Sequence, residues 1–396
     1  MTAGQRASLV LYFDEREREF AGFSESRPPG APPREVTGLA GTNMRAVCPG
    51  ASASQPRVWR PPLTPTYHSS PRPTTAAAAA AAPSTSAWAT PPFFTCCVCG
   101  EPLKPVGVAP ATTTAPLVCP AGHAVDVAKE GHVFLLPNGR KKRESAGPAG
   151  DAHAQVAARR AFFDAGWYDP ILRAGADAVC EVLLSRGTEG TAASSPTVVL
   201  DAGCGEGAYL AALAAHPSLP PTTALLGIDV SKPAIRLGSA RYGSDHIRFA
   251  VASSFAIPLE AGAVSCVLCA MAPVPPEVEL RRVLGGGGGG LVVVRPGPQH
   301  LDGLRRAVYG ERARFDKEGG EGGGVGAPGG ASPTTTAQMV SRTRLTFPLA
   351  LPGPAAVALL GMTPYAWSAA RGLGERLSAE GLETQADVWV ETFRIV

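Results

Sequence analysis

The stretch Val-Val-Leu-Asp-Ala-Gly-Cys-Gly-Glu-Gly-Ala-Tyr, residues 198–209, decides the fold. An apolar run stops at Asp201. Glycines then stand at every second position, Gly203, Gly205 and Gly207, and a helix-prone Ala/Leu segment follows. This is a buried strand feeding a glycine loop and then a helix. Without a Cβ the backbone turns sharply and admits a ligand closely, and the helix start behind it offers unpaired N–H groups. A second apolar run, residues 224–228, ends at Asp229, twenty-two positions beyond Gly207. A carboxylate at that strand tip is placed to accept both hydroxyls of a ribose, so the expected ligand is a nucleoside.

Spacing separates two cofactor classes. A dinucleotide loop reads G-x-G-x-x-G, with the pyrophosphate over the helix N-terminus. Here the loop reads D-x-G-x-G-x-G with Glu206 inside it. A carboxylate there repels a pyrophosphate and tolerates a sulfonium cation. The loop resembles the first motif of the class I S-adenosylmethionine methyltransferases.

Outward from the loop, strands and helices alternate. Candidate strands lie at 197–201, 224–229, 247–251, 264–270 and 290–295, with a helix over 156–186 and apolar runs at 345–351 and 387–395 to complete the sheet. Alternation of this kind implies an α/β fold with a parallel sheet covered on both faces. A Gly-rich insertion at 316–335 reads as a surface loop.

A second chemistry lies upstream. Cys96-x2-Cys99 is followed, nineteen residues later, by Cys119-x3-His123. Each close pair forms a knuckle, and the loop between them lets the four donors meet tetrahedrally. Three thiolates and an imidazole suit Zn²⁺ and leave no open position, which makes the site structural. Cys97 stands between the ligands, but Cys97 to Cys99 is only C-x-C, so Cys96 is the expected donor. Cys180, Cys204, Cys266 and Cys269 fall on predicted helix or strand and read as small core residues.

The 396 residues carry a net charge of +3, which permits a nucleic-acid partner without demanding one. No apolar stretch is long enough to span a membrane, so no membrane association is expected. Nine unevenly placed cysteines argue for a reducing compartment. Residues 1–93 are rich in Pro, Ala, Ser and Thr and read as a disordered leader. From Met44 to Thr95 there is no Asp or Glu, which fits a plastid or mitochondrial transit peptide. Asp14, Glu15, Glu17 and Glu19 fit that reading only if translation starts at Met44; otherwise the leader is a tail. The organisation is thus leader 1–93, zinc module 94–137, basic linker 138–155 with Arg140 to Arg143, and a catalytic domain over 156–396.

Taken together, these strings resemble the bacterial 23S rRNA guanine-N1-methyltransferases. The likeness runs through the zinc knuckles, residues 126–137 (Asp-Val-Ala-Lys-Glu-Gly-His-Val-Phe-Leu-Leu-Pro), residues 158–166 (Ala-Arg-Arg-Ala-Phe-Phe-Asp-Ala-Gly), the glycine loop and residues 227–232. It continues at 251–254, at Ala272-Pro273, at 295–301 (Arg-Pro-Gly-Pro-Gln-His-Leu) and at 356–367, which ends in Met-Thr-Pro-Tyr-Ala-Trp. It implies a zinc-binding N-terminal domain on a Rossmann-like methyltransferase sheet, often as a homodimer. The implied activity is methyl transfer to N1 of a guanine in a hairpin loop of large-subunit rRNA. By the same resemblance Cys96, Cys99, Cys119 and His123 hold zinc, and Asp201, Gly203, Gly205, Glu206, Gly207 and Asp229 hold S-adenosylmethionine, with Ala252 and Ser253 beside the adenine. The chain departs from the family in a longer loop between the zinc pairs, in the run Gly285 to Gly290, and in the insertion at 316–335.

The catalytic base stays unassigned. Asp164 and the surroundings of Ala272-Pro273 qualify by position only, and Asp164 reads better as a helix carboxylate paired with Arg159 or Arg160. Tyr365 and Trp367 either stack on a base or, as the better reading, pack under the C-terminal strands. Arg140 to Arg143 with Arg159 and Arg160 either grip phosphates or form a solvated face. Two other functions compete: a small-molecule methyltransferase, which the zinc module argues against, and a catalytically inactive RNA-binding assembly factor, for which the intact Asp201, Gly203, Gly205 and Asp229 argue against loss of cofactor binding but not against loss of catalysis.

Overall fold

A computed structural model describes Trp88, Thr90 and Pro91 and residues 93–106, 115–137, 151–188, 196–285, 289–310 and 337–395. The N-terminal leader as far as residue 87, the basic run at 140–143 and the insertion at 316–335 lie outside these residues.

The zinc module opens with β1 (Lys104–Pro105), β2 (Leu117–Val118) and β3 (Ala124–Val125), a small antiparallel sheet, and ends in β4 (Val133–Phe134). Then come α1 (His153–Asp164), α2 (Asp169–Thr188), β5 (Val198–Ala202), α3 (Ala208–Ala214) and β6 (Ala224–Asp229). The chain continues through α4 (Lys232–Tyr242), β7 (Ile247–Val251), β8 (Cys266–Ala270), α5 (Glu277–Leu284), β9 (Gly290–Pro296) and α6 (Asp302–Tyr309). It closes with β10 (Ala337–Leu351), α7 (Gly353–Met362), a 3-10 turn (Pro364–Ser368), α8 (Leu373–Glu380) and β11 (Leu382–Ile395).

The large sheet has eight strands in the order β10-β11-β9-β8-β5-β6-β7-β4. From β4 to β9 every pairing is parallel; β11 runs antiparallel to β9 and β10 antiparallel to β11. Strand order reverses at β5, whose neighbours are β6 and β8. Such a switch point leaves a crevice beyond the carboxyl ends of the strands, and Asp201 stands there.

The strands are apolar without alternation because both faces are covered. Val199, Leu225, Phe249, Leu268 and Val292 pack with α2, α3, α6 and α7, while Leu200, Leu226, Val267 and Leu291 pack with α5 and the zinc module. No helix among the described residues is long and apolar enough to cross a membrane.

Four differences from the sequence expectations have physical causes. The helix expected over 156–186 is two helices, α1 and α2, because Gly166 takes φ 79° and breaks it. The zinc module also lends a strand to the large sheet. Its β4 adds to the large sheet beside β7, and Phe94 bridges to Leu259, since so short a segment cannot enclose its own core. Trp88, which falls within the expected leader, is buried against Phe94 with the Arg248 guanidinium near its ring. β10 is longer than its apolar run because it is an edge, and its exposed residues carry no hydrophobic signal.

Candidate functional site

The sequence folds the glycine loop tightly because its three glycines all take positive φ: Gly203 86°, Gly205 54° and Gly207 81°. Space forbids side chains as well. A Cβ on Gly203 would stand 2.6 Å from the Ala272 methyl, and one on Gly207 would stand 2.7 Å from the Phe249 ring. The loop is pinned to the neighbouring strand, with the Gly203 and Cys204 N–H groups donating to the Ile228 carbonyl at 2.9 and 3.0 Å.

Asp229, at the tip of β6, closes the turn from the other side. Its Oδ2 accepts from the Gly205 N–H at 2.9 Å and its Oδ1 from the Ser231 N–H at 2.7 Å. Each oxygen keeps a lone pair for a hydroxyl. Burial raises its pKa against these two hydrogen bonds. Ser231 then caps α4, accepting from the Ala234 N–H, which fixes where β6 hands over to the helix.

Asp201 is the unusual group. It is 1% exposed, and neither carboxylate oxygen has a hydrogen-bond partner. Burial, and then the nearby Asp229 carboxylate, push its pKa up to about 8. The Tyr209 hydroxyl is also buried without a partner. An isolated buried carboxylate costs several kcal/mol unless a cation or donors meet it. A ligand with an ammonium group answers that need, so these residues fit the positively charged end of S-adenosylmethionine.

Glu206 does something other than the sequence suggested. Its carboxylate turns into the protein and pairs with Arg160 of α1 at 3.2 Å, where it is 2% exposed. The loop therefore excludes a pyrophosphate through Asp201 and Asp229, while Glu206 ties α1 to the loop. Ala252 is buried at the end of β7, where its N–H donates to the Asp229 carbonyl at 3.0 Å; Ser253 is half-buried beside it.

Asp164 pairs with Arg241 at 2.9 Å and more distantly with Arg160 at 4.0 Å. That is the helix-carboxylate reading, with a partner the sequence spacing did not show. Arg159 pairs with Asp151 instead. Ala272 and Pro273 carry no titratable side chain; their carbonyls accept from the buried Cys269 thiol at 3.3 Å each, which holds this wall against Gly203. Tyr365 packs edge-on against Tyr309 at 6.0 Å, but Trp367 is 78% exposed and does not pack under the strands.

Three groups that motif reasoning missed meet near the same end of the sheet. His300 Nε2 lies 3.3 Å from the Tyr168 hydroxyl, its Nδ1 accepts from the Asp387 N–H, and burial lowers its pKa to about 4, so the ring is neutral. Asp387, fully buried, accepts two hydrogen bonds from Arg344 and one from the Gln299 N–H. The signal was faint: His300 lies inside the 295–301 string, and Tyr168 two residues beyond the 158–166 string.

In the zinc module the structure brings together all four predicted donors. The Sγ atoms of Cys96, Cys99 and Cys119 and a ring nitrogen of His123 lie within 4.8 Å of one another. Cys99 and Cys119 Sγ are 3.5 Å apart, and Cys119 Sγ is 3.4 Å from His123 Nδ1. Two thiolates about 2.3 Å from a tetrahedral ion stand at nearly that separation. Each knuckle turns on a glycine at positive φ, Gly100 at 80° and Gly122 at 82°. Cys97 points elsewhere and is exposed. The donor set fits zinc in a closed, structural site.

A parallel sheet with two antiparallel closing strands, a triple-glycine loop at its switch point and acidic ends on the adjacent strands define a class I S-adenosylmethionine-dependent methyltransferase. A family model described as a methyltransferase domain matches residues 199–288, and a zinc-ribbon model described as "RlmA, N-terminal" matches residues 94–144. The chain is 33% identical over 230 residues to the "23S rRNA (guanine(748)-N(1))-methyltransferase" of Streptomyces fradiae, covering 57% of this chain and 71% of the relative. It is 38% identical over 217 residues to a Micromonospora griseorubida protein named "Putative 23S rRNA (guanine-N(1)-)-methyltransferase", covering 53% and 68%. The chain belongs to the family of 23S rRNA guanine-N1-methyltransferases.

Proposed function

We propose that this protein transfers a methyl group from S-adenosylmethionine to N1 of an unpaired guanine in large-subunit rRNA. The observation that carries the proposal is the joining of two sites in one core: a four-donor metal cluster packed onto the sheet whose switch point holds the orphaned Asp201. The first favours an RNA substrate over a small molecule, and the second favours a cleft that still takes up the methyl donor.

Asp201 meets the cationic end of the cofactor, Asp229 accepts from the ribose, Gly203, Gly205 and Gly207 let the chain approach it, and Ala252 and Ser253 border the base. Glu206 acts indirectly, by anchoring the loop through Arg160. When bound, S-adenosylmethionine supplies an electrophilic methyl on a sulfonium. The protein's part is to orient the acceptor and keep water out. Guanine N1 lies on the Watson–Crick edge, so the base must come from a loop or be flipped out of its stack. Asp164 is engaged by Arg241 and Arg160, which favours a structural role for it, and the base that removes the N1 proton stays unassigned. Zinc, held by Cys96, Cys99, Cys119 and His123, fixes the fold of the ribbon.

The test is to incubate the full chain with methyl-labelled donor and large-subunit rRNA, then digest and identify the product. Labelled 1-methylguanosine is expected. Label in another nucleoside, or none while the donor still binds, would overturn the proposal.

A further inference from the structure

The methyl donor carries a carboxylate as well as an ammonium, and the acidic groups beside the glycine loop do not suit it. Asp201 and Asp229 repel an anion, and Arg160 is committed to Glu206. Arg159, the residue before it on α1, is placed differently. Its Nη1 lies 3.5 Å from where a Cβ on Gly205 would stand, so the guanidinium sits over the middle glycine of the loop. Its Nη2 reaches the Met362 carbonyl of α7 at 3.5 Å, which steadies the side chain from behind. The remaining contact is an ion pair with the carboxylate of Asp151, just before α1. The Asp151 backbone is itself docked at the cleft, since its carbonyl accepts from the Ser231 hydroxyl at 2.9 Å.

A carboxylate therefore already rests against this guanidinium, beside the turn that Asp229 closes. Both side chains stay partly exposed, Arg159 at 23% and Asp151 at 31%, so the pair can open to solvent and to a ligand. Arginine presents parallel N–H donors that match a carboxylate in two-point geometry. We propose that Arg159 binds the carboxylate of the methyl donor, and that Asp151 occupies this position in the free protein and is displaced when the donor enters. Arg159 is thus a binding residue for the amino-acid end of the cofactor, and Asp151 an internal competitor. This rests on the reading that the cleft holds S-adenosylmethionine.

The test is calorimetric titration of the full-length, zinc-loaded protein with two probes. S-adenosylhomocysteine has the amino-acid end; 5′-methylthioadenosine lacks it and keeps the nucleoside. Arg159→Met should weaken S-adenosylhomocysteine roughly 10- to 100-fold, the range for a hydrogen bond to a charged group, and leave 5′-methylthioadenosine within about twofold. Arg159→Lys, which keeps the charge and loses the fork, should fall between Arg159→Met and the unaltered protein. Asp151→Asn should tighten S-adenosylhomocysteine only. Unchanged binding of 5′-methylthioadenosine also reports that the variant cleft is folded. Equal weakening of both probes by Arg159→Met would make Arg159 a structural brace and overturn the inference, as would no weakening of either. Should the unaltered protein bind neither probe, the cofactor reading itself falls; binding of both with an indifferent Arg159 removes this inference alone.

Discussion

The metal cluster and the glycine cleft are both built around buried charge, and they treat it in opposite ways. In the cluster four donors converge on one point, where a single ion would answer them all. In the cleft Asp201 is left without a partner and Tyr209 keeps a free hydroxyl. The first arrangement stabilises the fold; the second costs stability and holds a place for a ligand. A site that resolves its charges internally is structural, and one that leaves them open is where chemistry happens.

The largest expected effect falls on the cluster. Cys119→Ser should abolish stoichiometric zinc and lower the melting temperature of the whole described fold, because β4 and Phe94 are part of the main sheet's packing. Metal-linked folding energies of this kind are on the order of 10 kcal/mol. Cys97→Ser should keep the metal and the melting temperature, and loss of zinc in that variant would mean the ligand set is wrong. Next comes Gly203→Ala, which forces a side chain into left-handed backbone and against Ala272. It should destabilise by about 1–3 kcal/mol and abolish binding of S-adenosylhomocysteine; retained binding in a titration would put the cofactor elsewhere.

Asp201→Asn should separate the two kinds of site most clearly, by raising stability while weakening the cofactor. The folded pKa, about 8, lies above the ordinary 3.8, so the folded state holds its proton more tightly. The unaltered protein therefore loses stability at this group as pH rises from about 4 to about 8. Asparagine does not titrate. The variant's advantage in thermal unfolding should grow across that window and level off above it. A ligand ammonium reverses the sign: S-adenosylhomocysteine, through its amino group, should bind the unaltered protein more tightly as pH rises toward 8, and the variant should lose that slope. The smallest effect belongs to Trp367, which is 78% exposed. Trp367→Ala should leave stability alone and weaken rRNA binding by about 1–2 kcal/mol in a filter-binding assay, through a lost stacking surface.

Much of this was legible before the fold was known. The strand end at Asp229 follows from an apolar run that stops at a charge, Asp201 falls one residue short of the end of β5, and residues 224–229 and 247–251 match β6 and β7 residue for residue. The zinc donors follow from two short spacings. The longer reach was not legible. Glu206 sits in a cofactor loop by sequence, yet its partner Arg160 lies forty-six residues away on another helix. Trp367 carries the apolar character of a core residue and lies on the surface. His300 and Tyr168, 132 positions apart, meet at the same end of the sheet.

The sequence by itself determined the local devices: the two metal knuckles, the glycine loop and the acidic strand tips. Each is set by contacts within a few residues, where backbone sterics and ligand spacing leave little choice. Only the tertiary structure decided which charges were answered and which were left open. It gave Glu206 to Arg160, Asp164 to Arg241 and Arg159 to Asp151, and gave Asp201 no partner. Pairing between charges depends on distance across the packed elements, and no periodicity along the chain records that distance.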